Sequence, residues 1–300
     1  ALTKYLTFAR ISYFLITLIF FPICLFGLLY TQLKAIILCL YFDVSYTATH
    51  PLSLRWLWHQ LCIYSDKPQH DLVEKLPLLS PFGLHCVFLS DLVWNRFFTH
   101  SEHILVQRWQ SHYLYQRQQA FDSIYYDYAP TVDQLVVLGS GFNTRGYEPH
   151  QNQRCFDCDT ASVIALKQKS LSQEISSHVS FVAIDLYDDQ WITTLSQHGY
   201  CAHQKTLFIL EGLSPYIPQN HFISMIHQIT TFCQNTCMIA LDYYQPNFFN
   251  HYAFLSPLLT HVQEPLYSYS NQFIHQLQDL DTVQHTTLLS NQNVCGSVIA

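Results

Sequence analysis

The sequence is poor in charge, and above all in positive charge. Asp, Glu, Lys and Arg make up 12% of its 300 residues, against about 25% in an average soluble protein. The net charge is −7, and neither Lys nor Arg occurs after Lys205. A nucleic-acid interface needs clustered basic side chains that neutralise phosphates. Because the chain has no such cluster, we expect no nucleic-acid partner.

Patterns of a zinc site are missing as well. Cys155 and Cys158 form one CxxC, but no second CxxC and no HxxxH pair completes four ligands, and HExxH is absent. The ten cysteines are scattered through apolar runs, where a free cysteine behaves as a small buried hydrophobe. We therefore expect no bound metal.

What the sequence has in excess is a long apolar run near its start. Residues 11–33 carry no charge, and about 20 such residues span a bilayer. A signal peptide has a shorter apolar core before a small-residue cleavage site, so an anchor is favoured, although an apolar helix packed on the domain remains an alternative. The second apolar piece, 35–42, could be the return arm of a hairpin or an interfacial helix. We predict membrane contact through residues 11–42.

The second half of the chain alternates between strand-like and helix-like segments. The strand patterns occupy residues 134–138, 154–158, 179–184, 206–210 and 236–244, with an antiparallel pair at 282–290 and 293–300. Such alternation predicts a doubly wound α/β domain with a mostly parallel sheet, which binds ligands at the carboxyl ends of its strands. We assign this Rossmann-like domain to residues 131–300, a helical extension to 49–130 and the membrane anchor to 1–48.

Four predicted strands end in a glycine turn or an acid: Gly139 to Gly141, Asp159, Asp185 and Glu211. All should face one crevice, and Asp159 has the spacing of an acid that accepts hydrogen bonds from ribose hydroxyls. Carboxylates without a phosphate-binding lysine suit an adenosine ligand that has a positive centre and no phosphates, as S-adenosylmethionine does. A nicotinamide oxidoreductase is disfavoured, because the turn reads GSGFNTRG rather than GxGxxG.

Successive motifs carry a family resemblance. They are LVVLGSGFNTRGY, FDCD with Lys167 following, VSFVAIDL, DDQWITTL and LFILEGLSPYI. In this order the chain resembles the leucine carboxyl methyltransferase-like family of S-adenosylmethionine-dependent methyltransferases, whose bacterial members carry LGxGxDTR, an acidic strand end and an EGxxxYL segment. The resemblance extends over residues 107–244 and implies methyl transfer from S-adenosylmethionine. We expect O-methylation of a carboxylate or hydroxyl on a small or lipophilic acceptor, since the apolar anchor and the aromatic-rich helical extension suggest a lipophilic one.

The resemblance also implies roles for individual residues. Gly139 and Gly141, with Ser140 between them, would approach the methionine part of S-adenosyl-L-methionine, and Asp159 would bind its ribose. The remaining roles are Asp185 and Leu186 at the adenine, Arg117 at the cofactor's carboxylate, Glu211 beside its amino acid end, and Tyr216 at the rim towards the substrate. Arg145, the arginine of the DTR motif, would either contact the ligand or brace the loop.

One departure from the family pattern leaves activity open. Asn143 stands where the family has aspartate, which removes a charge and keeps a hydrogen-bonding side chain. The alternative is a methyltransferase-like binding or scaffold protein without turnover. Methyl transfer depends mainly on alignment, so we assign no catalytic residue; His221 is a candidate base for a hydroxyl acceptor.

The orientation of the anchor follows from two opposing considerations. Lys4 and Arg10 favour a cytoplasmic start, which with one crossing would put the remaining chain outside. Because S-adenosylmethionine is a cytosolic metabolite, we prefer a re-entrant hairpin, or a helix that starts outside and is held by Lys34 and Arg55. We expect a membrane-associated protein with its catalytic domain on the cytoplasmic side.

Overall fold

The computed structural model describes residues 2–63, 67–97, 109–147, 153–172, 177–244, 266–270, 272–280, 286–291 and 294–299. The chain divides into two compact units. The first comprises residues 1–115 with 169–171, and the second comprises 116–168 with 172–300. The boundaries expected at residues 48 and 130 stay predictions.

The first unit is helical where it is described. Its helices are α1 (Leu2–Phe42), α2 (Thr49–Gln60), α3 (Lys67–Lys75), α4 (Pro81–Val87) and α5 (Leu89–Phe97). Helix α4 begins where the sequence requires it to: Ser80 Oγ accepts a hydrogen bond from Gly83 N at 3.2 Å, and Pro81 occupies the first helical position. Both features favour a helix start, because they satisfy or avoid free N–H groups.

Helix α1 runs unbroken through Pro22 to Phe42. The return arm considered for residues 35–42 is therefore wrong, because this piece continues the same helix. Residues 10–42 form the one helix in the described part of the chain that is long and apolar enough to cross a membrane, and only 6% of its most apolar window is buried. The length and uncharged composition that the sequence shows thus produce a continuous, mostly exposed apolar helix.

One side of α1 packs against α4 and α5. Glycine allows the close approach, since a Cβ atom on Gly27 would lie 2.5 Å from Cys86 Cβ. Polar contacts fix the register: Tyr13 Oη donates to Asp91 Oδ1 at 2.8 Å, and Lys34 Nζ donates to the Leu79 carbonyl at 2.6 Å. Burial raises the pKa of Asp91 to about 7, against a smaller lowering by a backbone hydrogen bond.

The second unit contains the sheet. It begins within helix α6 (Trp109–Tyr128), whose residues from 116 onwards belong to this unit. The elements that follow in chain order are β1 (Gln134–Leu138), β2 (Arg154–Asp159), α7 (Ala161–Ser170), β3 (Val179–Ala183), α8 (Trp191–Gln197), β4 (Thr206–Leu210), α9 (Gln219–Phe232), β5 (Cys237–Tyr243), α10 (Phe273–Gln278), β6 (Thr286–Asn291) and β7 (Val294–Ile299). The predicted strands 134–138 and 206–210 coincide with β1 and β4.

The sheet has the strand order β3-β2-β1-β4-β5-β7-β6. The first five strands are parallel, which confirms the predicted parallel α/β architecture, and β7 pairs antiparallel with both β5 and β6. Every residue of β1 and β4 is buried, as uninterrupted apolar runs require in a sheet covered on both faces. Strand β1 lies between β2 and β4, so the strand order reverses beside β1. In open α/β sheets, ligands bind at such a reversal.

Candidate functional site

The glycine turn after β1 has a backbone that few other residues could adopt. Gly139 and Gly141 have φ angles of 60° and 51°, in the left-handed region that glycine enters without strain. A Cβ atom on Gly139 would lie 2.5 Å from Leu213 Cδ1, whereas one on Gly141 would have no atom within 4 Å. The turn is therefore packed on one side at Gly139 and open at Gly141, where a ligand could meet bare backbone.

Asp159 fixes the open end of this turn. Its Oδ2 accepts a hydrogen bond from Gly141 N at 2.7 Å, and its Oδ1 accepts one from Thr160 N at 2.7 Å. Burial raises the pKa of Asp159, and these two backbone hydrogen bonds oppose that rise. The acid at the end of β2 thus contacts the glycine turn at the end of β1, as the sequence predicts for neighbouring parallel strands.

A buried ion pair lies under the turn. Lys167 on α7 is fully buried, and its Nζ lies 2.5 Å from Asp157 Oδ2. The same Nζ donates to Ser140 Oγ at 3.1 Å and to the Asn143 carbonyl at 2.9 Å. Ser140 and Tyr147 also donate hydroxyl hydrogen bonds to the Asp157 carboxylate. The Ser140 side chain therefore belongs to this cluster, and Lys167 contacts both the middle of the glycine turn and the backbone that follows it.

Arg145 lies in a second ionic cluster. Its Nη2 lies 2.7 Å from Asp122 Oδ1, and its Nη1 donates to Glu211 Oε2. Asn143 joins the cluster by donating from Nδ2 to Glu211 Oε2 at 2.9 Å and accepting from Arg145 N at 2.9 Å. Burial lowers the pKa of Arg145, but the carboxylates of Glu211 and Asp122 outweigh burial and raise it. In this structure Arg145 braces the loop.

Arg117 approaches Glu211 from the opposite side. Its Nε lies 3.3 Å from Glu211 Oε1, its Nη1 lies 3.8 Å from Asp242 Oδ2, and Nη1 donates to Tyr244 Oη at 2.9 Å. Gly212 N in turn donates to Asp242 Oδ1 at 2.6 Å. Burial raises the pKa of Asp242, and Arg117 opposes that rise. Arg117 and Arg145 therefore contact three carboxylates, those of Asp122, Glu211 and Asp242. The cluster has a net charge of −1 when all five groups are ionised.

The segment after β3 forms a separate rim. Asp185 is exposed, and its Oδ1 accepts a hydrogen bond from Tyr187 N at 2.9 Å. His221 Nε2 lies 2.8 Å from the Leu186 carbonyl, and its ring stacks on Tyr187 with ring centroids 4.9 Å apart. Tyr187 Oη donates to the Tyr216 carbonyl at 2.9 Å. The structure thus links Leu186 to Tyr216 through His221 and Tyr187. Tyr187 is an exposed residue that sequence reasoning did not single out.

Several other residues of the site were also missed. They are Asp122, Asp157, Asp242 and Tyr244. Asp157 and Asp242 gave a signal, because each is an acid with apolar neighbours on both sides within a strand and so requires a buried partner. Asp122 lies on α6 five residues after Arg117 and carried no such signal.

A family model described as "Leucine carboxyl methyltransferase" matches residues 78–230, about half of the chain. Two curated relatives bear the name "Putative S-adenosyl-L-methionine-dependent methyltransferase". One, from Mycolicibacterium gilvum, is 36% identical over 108 residues, 34% of this chain and 35% of the relative. The other, from Mycobacteroides abscessus, is 28% identical over 194 residues, 58% of this chain and 61% of the relative. The chain therefore spans about one third to three fifths of these relatives.

Solved structures agree in fold. A duf574 family protein from Streptomyces avermitilis has a TM-score of 0.50 at 8% identity, over 66% of this chain and 87% of that one. A structure titled "putative methyltransferase" from Thermobifida fusca has a TM-score of 0.50 at 10% identity, over 63% and 81%. At such identities the likeness concerns the α/β fold alone.

Proposed function

This chain belongs to the leucine carboxyl methyltransferase family, and from that premise we propose that it is an S-adenosylmethionine-dependent methyltransferase. The observation that carries the proposal is the glycine turn at the strand-order reversal. Its Gly141 N–H is fixed by Asp159, and the space above Gly141 is open. The carboxylates at the carboxyl ends of β2, β3 and β4, those of Asp159, Asp185 and Glu211, suit a cofactor that bears a sulfonium cation and no phosphates.

In this proposal the two ionic groups of the cofactor's amino acid end bind to different partners. Arg117 receives the carboxylate, and Glu211 receives the ammonium group. Arg117 and Glu211 already lie 3.3 Å apart, so the zwitterion would join an existing ion pair rather than an isolated charge. Gly139, Ser140 and Gly141 form the turn beside the methionine part, while Arg145 holds Glu211 in place.

The nucleoside end is assigned to the next two strands. Asp159 would accept hydrogen bonds from the ribose hydroxyls, and its contact with Gly141 N fixes the carboxylate in advance. Asp185 and Leu186 would meet the adenine edge and face. Asp185 is exposed beside β2, so its carboxylate has room to accept a hydrogen bond from an exocyclic amine.

The reaction proposed is methyl transfer to oxygen. When bound, S-adenosylmethionine would supply the electrophilic methyl group to an acceptor oxygen, and Arg117, Glu211 and Asp159 would hold the cofactor. Alignment supplies most of the rate enhancement, and Tyr216 would lie at the rim between cofactor and acceptor. A carboxylate acceptor needs no base, whereas a hydroxyl must lose its proton. Because a carbonyl oxygen only accepts hydrogen bonds, His221 Nε2 donates to the Leu186 carbonyl, which leaves Nδ1 as the nitrogen that would take such a proton.

We also propose that residues 11–42 hold the protein at a membrane, with the catalytic domain on the cytoplasmic side. Large apolar side chains that are more than half exposed recur along this helix: Phe14, Leu18, Ile19, Leu33 and Leu40. Contiguous exposed apolar surface of this kind marks a membrane or protein contact. Flotation of the full chain with liposomes tests this: the protein should float, and a Leu18→Asp, Ile19→Asp variant should stay with the soluble fraction.

The acceptor class is tested by transfer of a labelled methyl group from S-adenosylmethionine to a lipid extract and to a protein extract. We expect label in the lipid extract, and release by mild base would identify a methyl ester. A second candidate, a cofactor-binding protein without turnover, is favoured by Asn143, whose amide engages Glu211. Cofactor binding with no label in either extract would support that candidate.

A further inference from the structure

Two cysteines lie together at the edge of the sheet opposite the proposed cofactor site. Cys233 follows the last residue of α9, and Cys237 is the first residue of β5. Both are half-buried free thiols, and the three residues between them are exposed. Because the turn precedes β5, it lies at the amino end of that strand, away from the glycine turn and Asp159.

The two thiols form a hydrogen-bonded cluster with a tyrosine. Cys233 and Cys237 are hydrogen-bonded to each other, and Tyr200 Oη lies 3.2 Å from Cys233 Sγ. The hydrogen bond with Cys237 lowers the pKa of Cys233; burial opposes this, and Tyr200 adds to the lowering. The same hydrogen bond raises the pKa of Cys237, and burial raises it further. Cys233 is the thiol that contacts both Cys237 and the Tyr200 hydroxyl, and these two donors can stabilise its thiolate.

We propose that Cys233 and Cys237 form a modification site, a dithiol that hydroperoxides oxidise to an intramolecular disulfide. In the first step Cys233 Sγ attacks a peroxide oxygen and the O–O bond breaks. Water departs from hydrogen peroxide, or an alcohol from an organic hydroperoxide, and Cys233 becomes a sulfenic acid. In the second step Cys237 Sγ attacks the Cys233 sulfur, the S–S bond forms, and the hydroxyl group leaves with the Cys237 proton as water. Two thiols are oxidised while one peroxide is reduced, so the electrons balance.

The chain carries its own matched control. Cys155 and Cys158 are also close in sequence, but both are buried in β2. Residues three apart on a strand point to opposite faces, so these two thiols cannot meet. Burial also raises the pKa of both groups, and Asp157 raises it further. Access and thiolate character control cysteine oxidation, and this pair lacks both.

The test uses the full chain in peroxide-free detergent. The protein is treated with equimolar hydrogen peroxide, denatured with iodoacetamide and digested with chymotrypsin, whose cleavage after Phe232 separates Cys233 and Cys237 from the other cysteines before them. We expect their peptide to be lighter by two hydrogens and unalkylated, and to be alkylated twice after treatment with dithiothreitol. The peptides with Cys155 and Cys158 should be alkylated with or without peroxide.

Two variants separate the steps. In Cys237→Ser the reaction should stop at a Cys233 sulfenic acid, which dimedone traps. In Tyr200→Phe the first step should slow several-fold, because the ring remains while the hydrogen bond to Cys233 is lost. Circular dichroism confirms folding of each variant, and cofactor affinity should be the same in the oxidised and reduced protein.

Three results would overturn the proposal. They are complete alkylation of both thiols after peroxide, oxidation of the β2 pair at an equal rate, and conversion of Cys233 to sulfinic acid while Cys237 stays free.

Discussion

Lys167 allows a quantitative test of how the glycine turn is held. Its side chain is fully buried, and its Nζ contacts Asp157, Ser140 and the Asn143 carbonyl at 2.5, 3.1 and 2.9 Å. Substitution Lys167→Met keeps the apolar stem and leaves the Asp157 carboxylate buried without its cation. Removal of one partner from a buried ion pair costs about 3–5 kcal/mol. In a unit of this size, about 2–4 °C accompany each kcal/mol, so Tm should fall by about 6–20 °C.

Thermal unfolding followed by circular dichroism measures this change. Lys205→Met is the matched control, because Lys205 is exposed, and it should change stability by less than about 0.5 kcal/mol. Adding Asp157→Asn to Lys167→Met removes the uncompensated charge and should recover most of the loss, to within about 1–2 kcal/mol of the parent. A single variant as stable as the parent, or a double variant less stable than the single one, would refute the reasoning.

Three further predictions concern the turn and the helical unit. Asn143→Asp should lower the free energy of unfolding by about 1–3 kcal/mol, measured in urea, because it replaces the donor to Glu211 with a second carboxylate; equal stability would contradict this. Gly139→Ala should destabilise more than Gly141→Ala in the same assay, since a Cβ atom at Gly139 would lie 2.5 Å from a leucine methyl carbon; the reverse order would show that the packing is different. Burial raises the pKa of Asp91 to about 7, so the folded protein keeps a proton that the unfolded chain releases near pH 4, and stability should fall as pH rises from about 4 to about 7. Asp91→Asn should remove that slope, and an unchanged slope would exclude Asp91 as its source.

The parallel sheet could be predicted from the sequence because the pattern is local. Buried parallel strands read as uninterrupted apolar runs, and 134–138 and 206–210 have sharp ends at polar or glycine residues. The acids at the strand ends were predictable for the same reason, since the carboxyl ends of parallel strands share one edge. The roles assigned to Asp159, Asp185 and Glu211 stay predictions.

What the sequence could not supply is the pairing inside the site. Arg145 contacts Asp122 and Glu211, which lie 23 and 66 positions away in the chain. Such distances are set by how α6 and β4 pack beside the turn, and no local pattern encodes them. Arg145 therefore had two open roles on sequence grounds; the structure shows its contacts with Asp122 and Glu211, and a contact with the cofactor stays a prediction.

The apolar helix shows the limit of composition. Length and lack of charge predicted an apolar helix, but a break after Lys34 was equally consistent with the sequence. The helix continues past Lys34 to Phe42, and the Lys34 ammonium group donates a hydrogen bond to the Leu79 carbonyl. This contact joins residues 45 positions apart in the chain, so composition cannot reveal it.

The central claim is that S-adenosylmethionine binds at the glycine turn through Asp159. Isothermal titration calorimetry of the full chain in detergent, with S-adenosylmethionine, S-adenosylhomocysteine and NAD in separate runs, tests it most directly. We predict binding of the first two ligands and not of NAD, and loss of binding in Asp159→Ala with the fold retained. Unchanged affinity in Asp159→Ala, or binding of NAD in preference to S-adenosylmethionine, would contradict the account.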